Sequence, residues 1–162
     1  MKKYKMILPI ILLISLFCGQ AFTVFGAEQE WYSLTEVKDN IEAHTIVWDE
    51  EAEITPYSRY ILGASVVLQK PSNGVLQMRS DVYCTETMST ITTVFTLQKK
   101  VGNSWSNVGK GTVSASNDNS MYKSMKATGV SSGTYRCIAD TKVVSKSGYT
   151  ETVSVISGMI EM

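Results

Sequence analysis

Histidine is nearly missing from this chain of 162 residues, which carries one, His44, beside three cysteines and three prolines. That scarcity removes whole classes of chemistry. Zinc sites draw on several histidines or cysteines, and no such group is present. A serine hydrolase needs a base beside its nucleophile. His44 lies in an acidic stretch and reads as a solvated side chain, and no serine sits in a Gly-x-Ser-x-Gly elbow. No glycine-rich loop leads from a strand into a helix, so a phosphate cradle is absent too. The acidic run Asp49-Glu50-Glu51 with Glu53 lacks the glycine turn and fixed spacing of a calcium loop and reads as a solvated tract. No metal and no other cofactor is expected.

Long apolar runs are confined to the start. Lys2, Lys3 and Lys5 precede Met6 to Phe17, and small residues follow at Gly26 and Ala27. This is the layout of a secretory signal peptide over residues 1–27, cleaved after Gly26 or Ala27. The alternative is an uncleaved N-terminal anchor. A lipoprotein is disfavoured because the bulky Phe17 precedes Cys18. Later segments fall short of the ~20 apolar residues of a membrane helix. The mature chain is expected to be secreted and extracellular, with no stable membrane span.

The chain has no net charge, but the charges are unevenly placed. Nine acids stand between Glu28 and Tyr60 against Lys38 and Arg59, whereas from Ile61 onward ten Lys or Arg face six Asp or Glu. Residues 28–57 therefore read as an acidic arm. Ser33 and Glu36 have the spacing of a capping box, with Leu34, Val37 and Ile41 on one side, which predicts a short helix over 34–43.

Residues 58–162 change to period-two alternation. Leu62, Ala64, Val66 and Leu68 form one inward row. Leu76, Met78, Val82 and Cys84 form a second, with Gln77, Arg79, Asp81 and Tyr83 outward. Ile91, Phe95 and Leu97 form a third, and Trp105 to Val113 returns after a turn at Gly102-Asn103-Ser104. Ser114 to Ser120 reads as a loop and Met121 to Ala127 as a weaker strand, with Val153 and Val155 inward near the end. Gly109 and Gly111 mark a bulge or bend. In Gly133-Thr134-Tyr135-Arg136-Cys137 the glycine, tyrosine and cysteine share one strand face. A tyrosine two residues before a cysteine marks the corner of an immunoglobulin-type sandwich, its hydroxyl returning to backbone upstream; Gly133 and Tyr135 are the corner residues. Cys84 and Cys137 on inward rows of an exported domain read as one disulfide; buried free thiols are the alternative. About seven short strands with turns at regular intervals predict an all-β, immunoglobulin-like Greek-key β-sandwich. A small barrel is the runner-up.

The motifs Leu97-Gln98-Lys99-Lys100, Trp105-x-x-Val108, Gly133-x-Tyr135-Arg136 and Gly148-x-Thr150-Glu151 give the stretch from Pro56 to Ile160 a family likeness. It resembles a family of small secreted proteins of Gram-positive bacteria, a domain of unknown function with a signal peptide, an acidic arm and one immunoglobulin-like or fibronectin-like sandwich. The resemblance implies fold and address and carries no catalytic residue.

Two functions of different class follow. The first is a non-catalytic extracellular binding or adhesion module for a protein or glycan partner. Its candidate contact aromatics are Tyr83, Trp105 and Tyr149, because aromatics anchor interfaces; packing along the sandwich is their other reading. The second is a secreted hydrolase using paired carboxylates, drawn from Asp81, Glu86, Asp118, Asp140, Glu151 and Glu161. A secreted toxin or antimicrobial remains a third. The body's lysines are scattered and its positive excess is slight, which argues against nucleic acid.

Overall fold

Threonine and valine crowd the stretch from Val75 to Val101. In the computed structural model of the protein it forms a single strand of 27 residues. The structure describes residues 30–38 and 58–162. The expected signal peptide and most of the acidic arm, including His44 and the Asp49–Glu53 tract, lie outside them. The described residues form seven strands: β1 (Tyr32–Val37), β2 (Ile61–Ser72), β3 (Val75–Val101), β4 (Ser104–Thr128), β5 (Thr134–Val144), β6 (Thr150–Ile156) and β7 (Ile160–Glu161). Among the described residues there is no helix.

The long hairpin β3–β4 is the frame. Its turn is two residues, with Val101 opposite Ser104 and a positive φ of 59° at Gly102 that only glycine adopts without strain. Pairing then runs back as far as Val75 opposite Thr128 with two irregularities: β4 carries one extra residue between the partners of Leu97 and Gln98, and between Tyr83 and Met88 β3 carries extra unpaired residues. Bulges bend a strand and sharpen its twist, and the second one turns the hairpin through a corner. Before the corner, β2 pairs with β3 from Val75 to Cys84; beyond it, β5 pairs with the same edge of β3 from Thr90 to Lys99, and β6 adds to β5. One continuous sheet thereby supplies both layers of a β-sandwich. The inward rows Leu76, Met78 and Val82 of the first layer and Ile91, Phe95 and Leu97 of the second are fully buried. Tyr135, Cys137, Ala139 and Val143 of β5 complete that core.

Three expectations are corrected. Ser114 to Ser120 is not a loop but part of β4, polar because it rounds the corner with side chains in solvent. Leu62 is 60% exposed, since it is the extra residue of a bulge between Ile61, opposite Cys84, and Gly63, opposite Tyr83. The helix expected over 34–43 is a strand as far as Val37, the rest falling outside the described residues. Glu36 does not fold back as a cap; its carboxylate pairs with Lys123 Nζ at 2.7 Å.

This first strand closes the structure. Tyr32 and Ser33 lie opposite Gly109 and Lys110 in parallel register, and from Leu34 the partner numbers fall from Ala127 to Ser124. β1 therefore crosses from one half of β4 to the other and sutures the two layers. Gly111 makes room for the crossing: a Cβ there would meet the Met125 sulfur and stand 3.0 Å from Leu34 Cβ. At the corner, the amide of Thr85 donates to the Tyr60 carbonyl at 2.8 Å. Glu151 of β6 accepts from the amides of Arg59, Tyr60 and Ile61 at 3.0, 2.8 and 3.2 Å. Burial pushes the Glu151 carboxyl up, but these amides and the Ser58 hydroxyl outweigh it and hold the group below its ordinary value.

Gly111→Val is expected to lift β1 from β4 and lower stability by about 1–3 kcal/mol, the range for overpacking. Urea unfolding checks it, and hydrogen exchange of residues 32–37 should quicken in the variant.

Candidate binding surface

The residues expected to matter fall in four separate places. Tyr135 is fully buried at the foot of β5, and its hydroxyl donates to the Ser131 carbonyl at 3.0 Å. The Tyr32 hydroxyl lies 3.4 Å from it and accepts from the Ser131 amide at 3.1 Å. Burial raises the Tyr135 phenol above its ordinary value. Lys99 reaches over that ring to bond Glu30 and the Ser131 hydroxyl, each at 2.6 Å. The hydrogen bond from Lys99 is the main cause holding the Glu30 carboxyl low. Gly133 (φ 150°) exchanges backbone hydrogen bonds with Met162, and a Cβ would stand 2.8 Å from Lys99 Cε. The corner is therefore also the socket for β1.

Cys84 and Cys137 do not form the expected disulfide; both are free and buried. The register explains it. Cys84 lies in the field of Glu151, which stands opposite Val143 on β5. Cys137 lies six positions back along β5, on the order of 20 Å at about 3.3 Å per residue, whereas a disulfide spans at most ~7 Å between Cα atoms. Burial pushes the Cys84 thiol up to about 11 and the Cys137 thiol up to about 12.

The three contact aromatics are not brought together. Tyr83 lies on the outer face of the first layer, edge-on to Tyr122 at 5.3 Å. Burial and the bond with Tyr122 raise its phenol. Beside it Arg79 and Asp81 form an ion pair at 3.0 Å, and burial holds the Asp81 carboxyl up against the pull of Arg79. Tyr149 is 53% exposed at the β5–β6 turn, 5.5 Å from the Tyr60 ring, with Arg59 above both rings.

Trp105 is different, because it belongs to a built face. The outer side of the second layer carries Thr92, Val94, Thr96, Gln98 and Lys100 from β3. Trp105, Asn107, Lys110 and Thr112 of β4 and Arg136, Ile138, Asp140 and Lys142 of β5 stand level with them. Arg136 Nε donates to Gln98 Oε1 at 2.8 Å, and Gln98 Nε2 donates to Asn107 Oδ1 at 2.8 Å. The guanidinium lies 4.3 Å from the centroid of the Trp105 ring. Three strands thus fix one arginine in place, and among the described residues it has no ion-pair partner. Arg136 was not among the residues expected from sequence. Its signal was there: it is out of phase with buried Tyr135 and Cys137, so it must face outward.

No family model matches the chain, and no curated protein matches it. Among solved structures it is similar to the collagen-binding subdomain of the Enterococcus faecalis surface protein ACE. That likeness has 8% identity and a TM-score of 0.40, and covers 61% of this chain and 96% of that one. Among the described residues no helix is long and apolar enough to cross a membrane.

Tyr135→Phe removes the buried hydroxyl and with it the bond donated to the Ser131 carbonyl, and is expected to cost about 0.5–1.5 kcal/mol. Tyr135→Ala also empties the ring's volume and should cost about 3–5 kcal/mol; urea unfolding of both variants checks the pair. For the thiols, the folded state favours the protonated form. Their contribution is fully present below the ordinary value of 9.0 and is lost as pH rises toward 11 and 12. Stability should fall above pH 9 by up to about 1.4 kcal/mol per pH unit for each thiol. A Cys84→Ala/Cys137→Ala double variant should show a shallower alkaline limb, read by unfolding at stepped pH.

Proposed function

We propose that this protein is a non-catalytic binding module that acts outside the cell, exported by the leader over residues 1–27, and that its contact surface is the outer face of the second layer. The observation that carries the reading is the guanidinium of Arg136, held by Gln98 and stacked on Trp105 on an open sheet face. Holding an arginine fork in advance removes the entropy that a free side chain loses on binding. Trp and Arg are also the residues that most often carry interface energy.

The hydrolase reading has less support, because four of the body's six carboxylates already serve structural partners in separate places. Asp81 pairs with Arg79, Asp118 accepts the Ser120 amide, Asp140 accepts the Ser154 hydroxyl and Glu151 clasps the start of β2.

The test is binding of the purified chain to an array of extracellular proteins and glycans, beside Trp105→Ala and Arg136→Gln. Binding to at least one array member is expected, reduced roughly ten- to thirty-fold in each variant, as for a central interface residue. Circular dichroism should remain that of the parent. Variants that bind every partner as the parent does would move the surface elsewhere.

A further inference from the structure

We infer that the partner of this face is an acidic polysaccharide, a chain of sugar rings carrying sulfate or carboxylate groups. The inference rests on the face being the binding surface and names what binds there. Its first support is charge. Lys100, Arg136, Lys110 and Lys142 all project from the outer side of the second layer, level with rows 100, 98, 96 and 92 of β3. Within the face the one acid is Asp140, which accepts the Ser154 hydroxyl at 2.6 Å. Glu161 stands at the rim, opposite Thr134. The neutral charge of the whole chain conceals this local excess, because its acids are concentrated before Tyr60.

The second support is the shape of the charge. The four cations fall alternately on either side of β3 or along it, over about 25 Å of strand at roughly 3.3 Å per residue. That is a track, suited to anions repeated along a linear polymer. A pocket for one small anion would cluster them.

The third support is what lies between the cations. Thr92, Thr96, Gln98, Asn107 and Thr112 present hydroxyls and amides, the groups that pair with sugar hydroxyls. Trp105 has one ring face against Arg136. Trp105 is half-buried, and the exposed part of its ring is an apolar plate against which the C–H side of a sugar ring packs, attracted by the negative π face. Single-stranded nucleic acid instead requires successive aromatics for successive bases, and β3, β4 and β5 bring one, Trp105, to this face.

Equilibrium binding of the full purified chain to heparin decides it, with dextran, single-stranded DNA and inorganic polyphosphate as comparison polymers. Heparin is expected to bind, and the affinity to fall steeply as salt shortens the screening length from ~10 Å at 0.1 M toward ~3 Å at 1 M. Arg136→Gln and Trp105→Ala should each weaken heparin roughly ten- to thirty-fold. Lys110→Gln and Lys142→Gln should each weaken it a few-fold, and Lys126→Gln on the other layer should leave it unchanged. Equal binding of dextran would remove the role of charge. Binding of polyphosphate or DNA as tight as heparin, or indifference to Trp105→Ala, would remove the role of the sugar ring. Either result overturns the inference. If heparin fails while array partners still depend on Trp105 and Arg136, the polysaccharide falls and the binding surface stands; if neither binds, both fall.

Discussion

Everything in this fold depends on one bent hairpin. β3 and β4 are both too long for a single layer of a small sandwich, and the interruption between Tyr83 and Met88 lets the pair turn and face itself. A bend of that kind leaves backbone groups without ladder partners, which is costly when they are shielded from water. Here Thr85 is supplied by the Tyr60 carbonyl, and the amides of residues 59 to 61 are supplied in turn by the Glu151 carboxylate. The corner is thus tied to β2 and to β6 at one point, and the two layers are joined there by polar contacts.

The opposite end is joined by the aromatic socket in which Tyr32 meets Tyr135 and Ser131. Between these ties the outer face of the second layer has little structural duty of its own. Its side chains are held by one another, Asn107 orienting Gln98 and Gln98 orienting Arg136. A face that stands ordered without being needed for the core is free to meet a partner with little reorganisation.

The sequence made the sandwich legible because burial on one face imposes period two on every core strand, and the rows at 76–84, 91–97 and 135–143 show it. What it hid were features set by distant residues. A lone segment such as Tyr32–Val37 becomes a strand only because β4 offers an edge to it, so its capping-box spacing pointed to a helix instead. The run Ser114–Ser120 looks like a loop since composition cannot separate a solvated strand from a turn. The cysteines shared inward rows, yet a row gives the side of a sheet and not the position along it, so their distance from one another was invisible. For the same reason Trp105 was legible as an aromatic and Arg136 as an outward cation, while their stacking required the order of the strands.

The two-residue turn at Gly102 has a consequence for how the chain finds its fold. From Val101–Ser104 back to Val75–Thr128 the pairs of the hairpin can form next to ones already made, apart from the short step across the corner from Met88–Asp118 to Tyr83–Ser120. The entropy of loop closure is then met in small increments rather than in a single long-range step. Most β-sandwiches must first bring remote strands together, which slows them. This chain can zip nearly half of its described residues outward from one point, and β2 and β5 then find a ready edge on β3. No thiol oxidation stands in that sequence of events, since both cysteines remain free; the order of assembly is written in the spacing of the turn and the corner alone.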